Sequence, residues 1–414
     1  MNPASRRIQT TYLLLLALQT LAASFIWGIN TLFLLDAGLN NTQAFAANAC
    51  FTAGMVLFEV PTGVIADTRG RRTSYLLGTF TLALSTLFYL LMWRVSAPFW
   101  AWALASALLG LGFTFFSGAF EAWLVDALTS SGYLAEGGTL ESVLAKGEIV
   151  EGIAMLGGSV AGGVIAQATN LGVPYVLRAV ALVLSFGCAW MLMRDTGFTP
   201  SHSKHPIQEI KSVVRGSIEH GLANPPIRWV MLAAPFTGGV TIYAFYAMQP
   251  YLLDLYGDQR AYAVAGLAAA IVAGAQIAGG LLVPHIGRIF GRRTSVLLWG
   301  TMVSVILLAL IGLVPHFWTV IALLVLWGLM FAALTPVRQA YINGLIASKE
   351  RATVLSFDSL LGSSGAVAIQ PILGKAADVW GYPISYAGSA VVQALAIPLL
   401  WLARRERASS DAID

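Results

Sequence analysis

Charge is scarce in this chain: of 414 residues, 11% are Asp, Glu, Lys or Arg, against about 25% in an ordinary soluble protein. Such a chain cannot clothe itself in a water-facing surface. With 57% hydrophobic residues and a mean hydropathy of +0.74, it requires lipid around most of its length. Cysteine is scarcer still. Cys50 and Cys188 both fall inside apolar runs, without the partner spacing of a disulfide framework or a metal site, and are read as packing residues. The five histidines, His202, His205, His220, His285 and His316, lie in or beside connections, so none offers a proton relay in mid-membrane. No GxxxxGK[ST] run and no soluble domain is present to hold a nucleotide. A nucleophile–base constellation is equally absent, which argues against an enzyme. The net charge of +4 is too small to indicate a nucleic-acid partner, and neither a cofactor nor a metal is expected.

Long apolar runs, by contrast, are everywhere. A spanning helix needs about 20 mostly apolar residues, and that ruler marks twelve segments: 11–35, 42–66, 73–92, 97–128, 142–168, 173–193, 227–255, 260–284, 294–314, 317–345, 353–377 and 383–403. The first follows Arg6 and Arg7 but is longer than the ~7–15 residues of a signal-peptide core, so it reads as a retained helix. The runs are continuous rather than alternating, which excludes a transmembrane β-barrel. The 41 glycines suit helices that approach closely in lipid.

Placing the N-terminus in the cytoplasm puts 18 of the 24 basic residues on the cytoplasmic side, as the positive-inside rule demands. Arg94, Arg178, Arg260 and Lys375 then fall outside or near the outer ends, and Lys146 and Arg338 within spans. Both termini are expected to be cytoplasmic, in a multi-pass protein of the plasma (inner) membrane. The long connection 194–226 carries Ile207, Ile210, Val214, Ile218 and Leu222 on one helical face after Pro206, reading as an amphipathic helix on the membrane surface or as a linker with accidental periodicity.

This connection splits the spans six and six. GRRTS at 70–74 returns at 291–295, an offset of 221, and Phe99-Trp100 returns as Phe317-Trp318, an offset of 218. Two markers in register argue for a duplicated six-helix unit in parallel orientation. The expected fold is therefore an all-α membrane protein of twelve transmembrane helices in two pseudo-symmetric six-helix bundles. The bundles are 1–193 and 227–404, with the linker 194–226 between them and a cytoplasmic tail, 405–414.

With these residues the chain resembles the major facilitator superfamily over essentially its whole length. That family's loop between helices two and three reads Gly, three residues, Asp, a basic residue, any residue, Gly, Arg, then Arg or Lys. Here it is Gly63, Asp67, Thr68, Arg69, Gly70, Arg71 and Arg72, departing only at Thr68. The second copy keeps Gly291, Arg292 and Arg293, while Pro284 and Arg288 replace the Gly and Asp. Gly158-Ser159-Val160-Ala161-Gly162-Gly163 in span five is similar to the glycine-rich signature of drug–proton antiporters, with serine in place of proline.

The resemblance implies a transporter working by alternating access. It implies a conformational latch in which Asp67 meets the start of span eleven, where free N–H groups favour an anion. Arg71 or Arg72 would reach Asp126, and Gly63 would allow close contact of spans two and eleven. It also implies a cavity lined by spans one, four, seven and ten. Those spans carry Gln19, Trp27 and Asn30; Phe116 and Glu121; Tyr243, Tyr246 and Gln249; and Arg338, a set suited to an amphipathic ligand.

Ionisable residues inside spans cost about 2.5–3.5 kcal/mol on insertion scales, so Glu59, Glu121, Lys146, Glu148, Glu151, Arg338 and Asp358 each ask for a reason. Glu121 and Asp126 lie about 140° apart on a helix and cannot serve one partner. Glu148 and Glu151 share a face, and two carboxylates that close repel, which suits reversible protonation. Glu121, Glu148, Glu151 and Glu59 are the proton-coupling candidates; for Glu148 and Glu151 the alternative is a structural ion-pair cluster with Lys146 and Asp358. Arg338 aligns with Glu121 in the repeat, as a substrate handle or as a gate across the cavity. The expected function is proton-coupled efflux of amphipathic small molecules by a monomer, with protons and membrane lipid as its other partners. The alternatives are an uptake symporter or facilitator for a polar or anionic metabolite, and a non-transporting receptor or scaffold.

Overall fold

The computed structural model describes residues 2–200, 215, 221–280, 290–346 and 351–413. The proposed amphipathic helix of the linker lies outside these residues but for Arg215 and its last turn, as do His202, His205, His220, His285, Pro284 and Arg288. The described residues form helices and connections, with a single isolated β-bridge between Arg292 and Ala412.

Eleven helical stretches are long and apolar enough to cross a membrane, and the last of them, Val354–Arg405, is 52 residues long. It is two crossings, because Gly381 breaks the helix with φ +81°, a conformation that glycine adopts without steric cost. Twelve crossings result. Two of the first helix starts are fixed by side chains that cap them. Asn2 accepts from Ala4 N–H ahead of Pro3, and Asn40 and Gln43 close a capping box before Asn41–Arg69. The fourth crossing is broken into Phe99–Thr114 and Ala119–Ser130 around Gly118, which has φ +66°. The first crossing starts earlier than hydropathy suggests, at Pro3, and continues past Trp27 as a short helix, Asn30–Asp36.

Helices alternate in direction, so both chain termini lie at one end of the bundle, here the terminal end; the opposite end is the distal end. Packing differs sharply between the two. At the distal end the cores interleave: Phe45 of the first half sits in the core of the second, and Leu253 and Ala265 of the second half sit in that of the first. At the terminal end each half keeps its own core. One is built from Tyr12 to Met193 and the other from Ile227 to Ala403.

Hydrogen bonds joining the halves gather at the distal end. Gln249 accepts from Thr31 N–H at 2.9 Å and donates to Trp27 O at 2.8 Å. Asp378 accepts from the N–H groups of Asn41 and Thr42 at 2.9 and 2.8 Å, and from the Thr42 hydroxyl. Gln167 accepts from Ala263 N–H at 3.0 Å. The closest backbone approach is at Gly163 and Gly266, where a methyl group added to Gly266 would meet Gly163 Cα at 2.9 Å and Ser159 O at 2.6 Å. Farther down the same helix pair the fit loosens: a Cβ at Gly152 would find only Ile277, at 3.7 Å. Among the described residues the halves therefore form a V, sealed at the distal end and without such contacts at the terminal end.

The segment 406–413 folds back on the second half. Asp411, 4% exposed, accepts from Thr294 N–H at 2.8 Å and from its hydroxyl at 2.7 Å, and Ile413 N–H bonds Gly291 O at 3.1 Å. The first half has a counterpart in Asp195, which follows the sixth crossing and accepts from Arg72 N–H at 2.8 Å. In each half an aspartate beyond the last helix caps the start of the third.

Candidate functional site

The opening of the V holds two adjoining cavities. The deeper, about 390 Å³, is lined by Gln19, Thr20, Ala23, Ser24, Ile26, Trp27, Asn30, Asn48, Phe51, Met55, Tyr89, Leu109, Phe113, Glu151, Met155, Arg178 and Tyr246. The outer, about 380 Å³, shares Gln19, Phe113 and Glu151 with it and adds Tyr12, Leu16, Phe116, Ser117, Gly118, Phe120, Glu121, Leu144, Gly147 and Glu148. Aromatic and aliphatic walls with a few amides suit an amphipathic ligand of modest size.

Glu121, Glu148 and Glu151 reach this space from two helices. Glu121 lies in the first turn of Ala119–Ser130, immediately after the break at Gly118. Glu148 and Glu151 stand on successive turns of Leu140–Ala168, about 12 and 16 Å from its start at 1.5 Å per residue. Gly147 gives Tyr12 room beside them: a Cβ there would sit 3.0 Å from the Tyr12 hydroxyl. Neither cavity has a lysine in its lining, and the outer one has no basic side chain at all. Glu59 stands apart from this cluster, accepting from the Ser117 hydroxyl at 2.6 Å.

Of the expected cavity residues, Gln19, Trp27, Asn30 and Tyr246 line the deep cavity and Phe116 the outer one. Three do not face it. Tyr243 is fully buried against Phe45 and Tyr386, with its hydroxyl on Leu373 O at 3.3 Å. Gln249 is consumed in the distal seam. Arg338 pairs with Asp358 through both terminal nitrogens, Nη2 to Oδ1 at 2.6 Å. Its charge is cancelled inside the second half, so the expected opposition of Arg338 and Glu121 across the cavity does not form. The hydropathy ruler could not foresee this pairing, because a partner twenty residues along on the next helix leaves no local pattern.

The quoted loop takes a different geometry from the latch. Asp67 is held by Arg71 of its own half at 2.5 Å, and Arg71 Nε stands 4.0 Å from Asp126. Arg72 donates to Trp190 O at 2.7 Å and lies over the Trp190 ring. A Cβ at Gly63 would meet nothing within 4 Å, so spans two and eleven, joined at the distal end, are not in contact at Gly63. Gly70, at φ +105°, leaves room for the Asp195 carboxylate. Burial pushes the Asp195 carboxyl above its ordinary value, against the Arg72 N–H and the Arg72 and Arg71 charges, which pull it down. In the second copy, Arg293 bonds Ser410 O at 2.6 Å, while Gly291 and Arg292 meet the tail.

Sequence reasoning missed Arg178. Topology counting puts it near the outer end, yet the structure buries it at 2% exposure inside Gly172–Leu192. Its Nε donates to the Thr86 hydroxyl at 3.0 Å and its Nη1 to Ala22 O at 3.2 Å, while Nη2 has no partner. Beside it, Tyr175 donates to Asn30 Oδ1 at 2.9 Å and Asn30 donates to Asn48 Oδ1 at 3.0 Å, leaving Asn48 Nδ2 unpartnered. An arginine at the start of an apolar run reads as an interfacial anchor; nothing in the sequence marks that its side chain turns inward.

The family model described as Major Facilitator Superfamily matches residues 12–290 and 261–413. A search of curated proteins finds no match. Among solved structures, a variant of the nucleoside transporter NupG is similar with a TM-score of 0.75 at 12% identity, covering 95% of this chain and 100% of its own. A bacterial homologue of the human lysosomal transporter Spinster, inward-facing and unoccupied, gives 0.74 at 14% identity, covering 100% of this chain and 99% of its own. A POT family transporter in complex with 5-aminolevulinic acid gives 0.69 at 14%, covering 95% and 94%.

Proposed function

The chain belongs to the major facilitator superfamily, whose members are transporters rather than enzymes, and on that premise we propose that it moves amphipathic small molecules by proton-coupled alternating access. One observation carries this reading: Glu121, Glu148 and Glu151 line a single cavity whose lining, among the described residues, holds no basic side chain. Carboxylates gathered in one cleft within a membrane bundle are the groups best placed to carry a coupled proton. The V opening toward these carboxylates supplies the access, and the sealed distal end supplies the barrier. The bias of basic residues supports a terminal end on the cytoplasmic side of the plasma membrane. One chain supplies every described cavity residue, which supports a monomer as the working unit.

In the efflux direction, protons taken up by the carboxylates are exchanged for substrate leaving the adjoining deep cavity. A second reading, uptake of an anionic molecule together with protons, is favoured by the buried Arg178. The span-five glycines that resemble the antiporter signature are engaged in packing, Gly162 on Phe25 and Gly163 on Gly266, so they do not decide the direction. A scaffold reading leaves three membrane-embedded glutamates without a task.

Proteoliposomes with an imposed pH gradient and a panel of fluorescent amphipathic compounds test the proposal. At least one compound is expected to accumulate only when the gradient is present. Equal movement with and without the gradient across the panel refutes proton coupling, and the direction of accumulation separates efflux from uptake.

A further inference from the structure

We propose that Arg178 and Asn48 form a subsite for the anionic head, carboxylate or phosphate, of the transported molecule. This rests on the transport reading but not on its direction. A buried guanidinium is ordinarily matched by a carboxylate or fully hydrogen-bonded, because an unpaired charge away from water is expensive. Arg178 is 2% exposed, has no carboxylate partner among the described residues, lines the deep cavity and leaves its buried Nη2 without a hydrogen-bond partner. Its other two nitrogens are fixed by the Thr86 hydroxyl and Ala22 O, so the free nitrogen is oriented before any ligand arrives.

Asn48 supplies a second donor on the same wall. Its carbonyl oxygen is occupied by Asn30, whose own oxygen is held by Tyr175, and this chain leaves Asn48 Nδ2 without a partner. Two unsatisfied donors, one of them charged, call for an acceptor, and a fixed fork of N–H groups matches carboxylate and phosphate oxygens. Trp27, Phe113 and Met155 line the rest of the cavity and receive an apolar body. The substrate class is an amphipathic organic anion, head inward toward the distal seal and body toward the opening.

The test uses purified full-length protein and matched probes: 4-phenylbutyrate against 4-phenylbutyramide, and 1-naphthyl phosphate against 1-naphthol, with binding read by calorimetry. Wild type is expected to bind at least one anion about tenfold or more tightly than its neutral counterpart, about 1.4 kcal/mol. Arg178→Gln should erase that difference while leaving the neutral partner's affinity in place. Asn48→Asp keeps the acceptor for Asn30 and leaves Arg178's two bonds untouched, yet sets a negative charge at the subsite. It should erase the preference too, which covers the case in which Arg178→Gln does not fold. Which pair shows the difference separates carboxylate from phosphate. Equal affinity within both pairs in wild type, or a preference that survives in Asn48→Asp, overturns the proposal. Glu121→Gln should leave the preference intact, so a failure of proton coupling is read separately from a failure of the subsite.

Discussion

Asp378→Ala should shift the protein from the state described here toward one open at the distal end. Asp378 sits on the eleventh crossing and caps the N-terminus of Asn41–Arg69 across the seam, accepting two backbone N–H groups and one hydroxyl. Buried hydrogen bonds to a charged acceptor contribute about 1.5–3 kcal/mol each. Asp378 is exposed, so water replaces most of that when the seam opens. The helix terminus adds about 0.3–1 kcal/mol for an anion at a solvated site. A net 1.4 kcal/mol is a reasonable total, and it corresponds to about a tenfold change in the ratio of the two states. The assay is a distance distribution between spin labels at Val95 and Tyr256, both exposed near the distal end of different halves, in a background with Cys50→Ser and Cys188→Ser. The longer-distance population should rise about tenfold relative to the shorter, and Asp378→Asn, which keeps one acceptor oxygen, should fall between. An unchanged distribution, or one shifted to shorter distances, refutes the assignment of Asp378 as a clasp on the distal seam.

Gly266→Leu should act in the same direction by overlap rather than by lost bonds, since even a methyl there meets Gly163 Cα at 2.9 Å; the same spin-label pair reads it. Asp358→Ala leaves Arg338 without its counter-charge and should destabilise the second half by about 3–5 kcal/mol. That appears as a lowered Tm, and the double variant Arg338→Met, Asp358→Leu should recover much of it. Asp195→Asn tests the half-buried carboxyl of the first half. Its folded pKa is raised, so its contribution to stability is present below the ordinary carboxylate range and lost as pH rises through the raised value. The Tm of wild type should therefore fall relative to Asp195→Asn across that window, and parallel Tm curves would contradict it.

The fold was largely legible because lipid imposes a length on every crossing, and apolar runs carry that length in the sequence. The GRRTS repeat likewise exposed the duplication, since both copies keep the start of a third helix. What stayed hidden depends on contacts between distant segments. Asp195 and Asp411 stand at corresponding places after the last helix of each half, but no motif surrounds them. Glu121, Glu148 and Glu151 could be proposed from insertion cost alone, because charge in a span is conspicuous. Arg338 was equally conspicuous and misleading, its charge being spent on Asp358. Arg178 escaped notice through the same topology rule that oriented the chain, since arginines near helix ends normally reach outward.

The claim that one cleft of carboxylates couples protons to transport is tested most directly by the triple variant Glu121→Gln, Glu148→Gln, Glu151→Gln. It should be reconstituted beside wild type with a compound that accumulates in the pH-gradient screen. Both proteins should exchange the compound across the membrane when no gradient is applied. Only wild type should concentrate it when a pH gradient is imposed. Gradient-driven accumulation by the triple variant equal to that of wild type would contradict the account.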